Sequence, residues 1–146
     1  MEQFVIQSNS SGIAQLEQFI SHLCDEKHVL NHQAIIWIAV EAAVDNAIVH
    51  GNQGDASKFV VIESGDCEGG VYFSISDQGA GFNPSTTEEG GGMGLSLMRM
   101  LADKVLFNST GNMVRLEFYI RGIDRELALE RFALLKQYYS LKTIEA

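Results

Sequence analysis

Proline occurs once in 146 residues and cysteine only twice. Cys24 and Cys67 stand in separate segments without CxxC spacing, so they indicate neither a disulfide framework nor a cysteine-built zinc site. Cations are also scarce: ten Lys and Arg against nineteen Asp and Glu leave a net charge of −9. An acidic chain repels phosphate backbones at long range, which disfavours direct nucleic-acid binding or an anionic membrane surface. A local phosphate pocket built from backbone amides stays open to it. No uninterrupted apolar run approaches the roughly 20 residues that cross a bilayer. The first twelve residues lack the basic-then-apolar order of a signal peptide. The expected location is cytoplasmic, with no membrane contact. With 46% apolar and 20% charged residues, the composition is that of one ordinary folded domain. What the chain does have is glycine, fourteen of them, and they cluster.

Phe4, Val5 and Ile6 make a first short strand. Ile13, Leu16, Phe19, Ile20 and Leu23 recur at helical spacing, which predicts an amphipathic helix over about 12–28. A second helix runs from about 32 to 50, with Asn31 placed to cap it. Residues 59–62 and 71–76 read as paired strands around a turn from Gly65 to Gly70. A helix over about 93–103 follows the glycine-rich stretch. Residues 105–107 and 113–120 form a second hairpin around Thr110, Gly111 and Asn112. Strands and helices in this order predict an α/β (α+β) two-layer sandwich. Its sheet is expected to be mixed, mostly antiparallel, and covered by helices on one face.

The second helix is apolar on every side through Ala34–Val40, so it is mostly buried. Glu41, Asp45, Asn46 and His50 then interrupt it. Unpartnered burial of such groups costs a few kcal/mol each, so they are expected to line a polar cavity. Asn46 and His50 share one face. Glu41 and Asp45 share a stripe rotated about 100° from it. A plain cluster of cap and salt-bridge groups near a helix end is the alternative.

Two glycine motifs follow in order. Asp77-Gln78-Gly79-Ala80-Gly81-Phe82 leaves a strand, and its glycines let backbone approach a ligand closely. An aspartate at that strand end can accept a hydrogen bond from an exocyclic amine. Gly90-Gly91-Gly92-Met93-Gly94 then leads straight into a helix near Leu95, where free backbone amides form an anion site. Either motif alone also describes many turns.

Taken together, Asn46 to Gly51, Asp77 to Phe82 and Gly92 to Leu95 resemble the N, G1 and G2 boxes of the histidine kinase-like (GHKL) ATPase superfamily. The likeness is nearest to the bacterial anti-sigma factor serine/threonine kinases. Residues 94–105, Gly-Leu-Ser-Leu-Met-Arg-Met-Leu-Ala-Asp-Lys-Val, carry much of it. The resemblance spans about residues 1–120 and implies an ATPase domain over 1–121 with a helical extension over 122–146. It implies that Asn46 coordinates a Mg²⁺ bridging ATP phosphates, that Asp77 accepts the adenine amine, and that Gly79, Gly81 and Phe82 shape the adenine pocket beside it. Gly92, Gly94 and Leu95 would cradle phosphates at the helix start, with His50 at the nucleotide, and residues 83–91 would be a lid. It further implies a sigma factor or other regulator as partner, and a small antagonist protein with a phosphorylatable serine.

Three positions depart from the family pattern. The catalytic base is expected four residues before Asn46, where this chain has Ala42; the glutamate is Glu41, one residue and about 100° away. Glu41 is nonetheless the candidate base. The lid is short and holds Glu88 and Glu89 but no Lys or Arg. Near the adenine, Gly111-Asn112-Met113 stands where a threonine is frequent. These departures leave a nucleotide-dependent binding module without catalysis as the alternative function. At the C-terminus, Ile123, Leu127, Leu134, Leu135 and Tyr138 stripe a helix whose other positions include Arg125 and Arg131. The stripe packs on the domain itself or serves a partner helix or homodimer. Trp37 and the pair Tyr138-Tyr139 read as packing residues rather than nucleotide stackers, and Cys24 as a core residue.

Overall fold

The computed structural model describes residues 1–9, 12–26, 32–81, 92–119, 130–131, 133–137 and 140. Its elements run β1 (Glu2–Gln7), α1 (Ile13–Glu26), α2 (Gln33–Asn46), a π-helical turn (Ala47–Gly51), β2 (Phe59–Cys67), β3 (Gly70–Ser76), α3 (Gly92–Leu101), β4 (Lys104–Phe107) and β5 (Met113–Tyr119).

The five strands form one sheet in the order β1-β2-β3-β5-β4. Each of its four pairings is antiparallel, so the sheet expected to be mostly antiparallel has no parallel pair among the described residues. The reason is topological. Two helices in series between β1 and β2 return the chain to the end of the sheet where β1 finished, so β2 runs back alongside it, with Gln7 paired to Phe59. After α3, the β4–β5 hairpin inserts β5 between β3 and β4, so those two same-direction strands never touch.

The first hairpin also runs longer than its glycines suggested. Pairing continues through Gly65↔Tyr72 and Asp66↔Val71 to Cys67↔Gly70. The turn is confined to Glu68 and Gly69, with Gly69 at φ 85°. Gly65 extends the strand because the Tyr72 ring lies over it; a Cβ there would come within 2.7 Å of Tyr72 Cε1. Across the ring, the Arg115 guanidinium sits 4.0 Å from the Tyr72 centroid.

All three α-helices cover one face of the sheet. α2 packs between α1 and α3 and touches β3 and β5 beneath. Its eight buried residues, from Ile35 to Val44, meet Ile62, Phe73, Ile75 and Leu116 of the sheet. Gln33–Gly51 is 19 residues long and apolar enough to cross a membrane by length and composition, and half of it is buried. That apolarity is what a central helix wrapped by a sheet and two neighbours requires. The N-cap position of α2 is His32, whose side chain makes no capping hydrogen bond. Asn31, the expected cap, lies outside the described residues.

The described residues of the C-terminal segment are helical and dock on the domain. Leu135 is buried, and Leu134 is exposed. Arg131, read from sequence as a polar-face residue, is 7% exposed. It reaches Asp103 in a two-pronged ion pair, Nη2–Oδ1 2.7 Å and Nη1–Oδ2 3.4 Å. Ile123, Leu127, Tyr138 and Tyr139 lie outside the described residues. Cys24 takes the core position expected of it, and Trp37, half-buried, packs against the core. Burial pushes the Cys24 thiol up to about 11.

Candidate functional site

A cavity of about 340 Å³ opens between the C-terminal end of α2, the ends of β3 and β5, and α3. Asn46, His50, Asp77, Gly81 and Leu95, five of the residues singled out in the sequence, line it together. Its size suits a planar base with its sugar.

Asp77 leaves β3 at the cavity wall and is held from both sides. Its backbone N–H donates to Asn112 O at 2.9 Å. Its Oδ1 accepts from Gly79 N at 2.8 Å. Burial raises the carboxyl above its ordinary range, and the Gly79 amide and the Lys58 charge offset part of that. Such a group is well suited to accept a hydrogen bond from a ligand amine and gains from the exchange.

Each glycine around Asp77 is required by close approach. A Cβ on Gly51 would overlap the Asp77 carboxylate, and one on Gly79 would overlap the Gly51 carbonyl. Gly81 has φ +86°, and a Cβ there would run into the Thr110 carbonyl. So Gly79 stands behind Asp77 rather than on the cavity surface, while Gly81 and Ala80 line it. The turn facing them is fixed by Asn108, whose Oδ1 accepts from the backbone of Gly111, Asn112 and Met113.

At the other end, Gly92 opens α3. A Cβ on Gly94 would come within 2.9 Å of Asn46 Oδ1, so the Asn46 amide lies directly against the first turn of α3. This places an amide oxygen beside free helix amides, the pairing that holds a cation together with a polyphosphate. Among the described residues no group of three His, Cys, Asp or Glu gathers to hold a metal alone. Phe82 and residues 83–91, the expected lid, lie outside the described residues.

Glu41 and Asp45 do not line this cavity. α2 is regular from Gln33 to Asn46, so Glu41 is about 140° around the axis from Asn46, whereas Ala42 is about 40° away. The helix does deviate from α geometry, but only after the asparagine. The π turn at Ala47–Gly51 closes with Asn52 N donating to Ala47 O at 2.8 Å. It changes the phase of the residues beyond Asn46 and leaves Glu41 where the α-helix put it, half-buried.

Sequence reasoning missed the apolar lining. Ile75, Met98, Phe107 and Val114 are among the residues of the wall. They read as ordinary core positions, and nothing in their spacing distinguishes a cavity wall from a packed interior. Asn112 and Gln53 also line it, with Gln53 at φ 55°. Asn52 lies behind the wall and is fully buried.

An open antiparallel sheet with helices on one face, and this constellation at the end of its central helix, define a histidine kinase-like ATPase domain. The family of that description, Histidine kinase-like ATPase domain, matches residues 9–118, and the chain belongs to it. A nucleotide-binding domain follows from that membership. Among characterised proteins, the chain is similar to the anti-sigma F factor of Clostridium perfringens (strain SM101 / Type A), 34% identical over 122 residues, 76% of this chain and 80% of the relative. It is also similar to the anti-sigma F factor of Clostridium botulinum (strain Alaska E43 / Type E3), 30% identical over 130 residues, 80% of this chain and 84% of the relative. That of Geobacillus thermodenitrificans (strain NG80-2) is 27% identical over 139 residues, 88% of each chain.

Proposed function

We propose that this chain is an ATP-binding regulator of the anti-sigma factor serine/threonine kinase type, working in the cytoplasm through protein partners. The observation that carries the reading is one cavity bounded by the half-buried Asp77 at its base-sized end and by Asn46 against the start of α3 at the other. Asp77 accepts the exocyclic amine of adenine. Asn46, with phosphate oxygens and water, holds Mg²⁺, which neutralises the phosphate charge that the acidic protein cannot. His50 lies beside them. The partner held in the nucleotide-bound state is a sigma factor or another regulator. The phosphoacceptor is a serine on a small antagonist protein, with Glu41 as the residue that takes the hydroxyl proton.

The position of Glu41 favours a second reading. With Ala42 on the face of Asn46 and Glu41 far around the helix, the domain would switch partner affinity between ATP and ADP states without transferring phosphate. Mass spectrometry of the antagonist after incubation with Mg-ATP separates the two. A phosphoserine that Glu41→Gln abolishes supports the kinase. An unmodified antagonist, with ATP and ADP still shifting partner affinity, establishes the binding module, and Ala42→Glu is then expected to create transfer. Calorimetry with ATP and ADP tests the ground beneath both, since no binding at millimolar nucleotide overturns each of them.

A further inference from the structure

Asn52 is a polar side chain with no exposed surface, placed between the π turn and the loop that carries Asp77. A buried primary amide is expensive unless every group on it is matched, and here each is. Its Nδ2 donates to Ser8 Oγ at 2.7 Å and to Phe59 O at 3.0 Å. Its Oδ1 accepts from Gln78 N at 2.8 Å. Its own backbone N–H closes the π turn on Ala47 O. One side chain therefore joins the end of β1, the start of β2 and the residue next to Asp77. Gln78 returns a second tie, its Oε1 accepting from Phe59 N at 2.7 Å.

The consequence concerns Asp77. Gly51, immediately before Asn52, is the floor against which the Asp77 carboxylate packs so closely that a methyl group there would overlap it. Asn112 holds the Asp77 loop from the β5 side, and a bond between residues 52 and 78 ties it to that floor. That bond is the Asn52 Oδ1 to Gln78 N contact. We propose that Asn52 is a positioning residue for base recognition: it clamps the loop bearing Asp77 to the π turn and so fixes the carboxylate where it discriminates a 6-amino purine from a 6-oxo purine. This rests on the adenine-nucleotide reading of the cavity.

The test compares ADP with inosine diphosphate, which has an oxygen where adenine has its amine. Calorimetry is run on the wild type, Asn52→Ala and Ser8→Ala, the last removing only the hydroxyl that anchors the far side of the amide. The same proteins, unliganded, are titrated by NMR at the Asp77 carboxyl carbon. The wild type is expected to prefer ADP about tenfold or more, from one matched against one mismatched acceptor. Asn52→Ala is expected to weaken ADP about tenfold and leave inosine diphosphate nearly unchanged, and to move the Asp77 titration towards that of an ordinary carboxyl. Ser8→Ala moves both readouts the same way by less, and it decides the matter if Asn52→Ala fails to fold. Equal weakening of both nucleotides with an unmoved Asp77 titration overturns the proposal. If the wild type binds neither nucleotide, the adenine reading fails and recognition with it. The titration then judges the clamp alone: a moved Asp77 keeps Asn52 as its positioning residue, and an unmoved one removes that too.

Discussion

The Asp77 carboxylate packs on the bare α-carbon of Gly51, with no room for a side chain between them. The base-reading group of the cavity thus leans on the end of the central helix, and the two are coupled. Gly51→Ala forces the short Asp77 side chain aside while leaving the backbone in place. Gly81→Ala behaves differently, since its φ of +86° and the rigid Thr110 carbonyl leave nothing cheap to move. We expect Gly51→Ala to lower adenine-nucleotide affinity about tenfold or more with stability changed by under ~1 kcal/mol. Gly81→Ala should lose roughly 2 kcal/mol or more of stability as well. Calorimetry beside urea unfolding measures the contrast.

Asp77 itself should trade stability against binding. Its native carboxyl lies above the ordinary 3.8 because burial disfavours the charge. The native state therefore holds this proton more tightly than the unfolded chain. The stability it contributes is present below the unfolded value and is lost as pH rises through the raised native value. At neutral pH, Asp77→Asn keeps an acceptor for Gly79, removes the half-buried charge and is expected to raise the melting temperature of the unliganded protein. That gain should vanish in acid. Adenine-nucleotide binding should be lost at every pH in the variant. In the wild type it should fall on acidification at a higher pH than an ordinary carboxylate would give. Thermal melts and calorimetry across the acid range provide both curves.

The Arg131–Asp103 pair holds the C-terminal helix to the domain, with side chains 9% and 12% exposed. Asp103 Oδ2 also accepts from Tyr119 N at 2.7 Å, so the carboxylate is tied to β5 as well. Removing one partner of a buried pair leaves the other charge uncompensated, at a cost of about 3 kcal/mol. Arg131→Ala should lower unfolding free energy by that order in urea while leaving the ADP dissociation constant within about twofold. A variant as stable as the wild type would mean that the extension contributes nothing to the fold.

His32 sets an acid limit. Neither ring nitrogen finds a partner among the described residues. Burial, followed by the nearby Arg131 charge, lowers its titration below the ordinary 6.5, against a smaller opposing effect from Asp103. The unfolded chain then takes up the proton first, so stability is lost as pH falls below about 6.5 towards the lowered native value. Replacement by an apolar residue, His32→Leu, should flatten that part of the stability curve. Unfolding midpoints measured from pH 8 to pH 5 (roughly the window in which an ordinary or lowered histidine titrates) test it. An unchanged slope would exclude His32 as the titrating group.

Much of the site and the fold could be read along the chain. Asn46, His50, Asp77, Gly81 and Leu95 could be picked out along the chain as cavity-lining residues because polar groups that interrupt an apolar helix, and glycine clusters at a strand end and a helix start, stand out in one dimension. The strands and helices were legible because period 2 and period 3.6 are local properties. What could not be read was anything set by contact between distant segments. Arg131 reads as a surface residue in any window, and its ion pair with Asp103 across the fold is what offsets the cost of burying it.

Sequence alone therefore determined the element order, the family resemblance and five of the residues that line the cavity. Tertiary structure decided their phase. It placed the π turn after Asn46 rather than before it, which leaves Glu41 off the cavity and Ala42 on the side of Asn46. It put β5 between β3 and β4, so that the Asn112 backbone could meet Asp77. It buried Asn52 where three segments converge. A helix rotation of one residue costs nothing in composition or pattern, yet it moves a carboxylate to a different face. That is why chemistry turning on such a rotation is settled only by the packed structure.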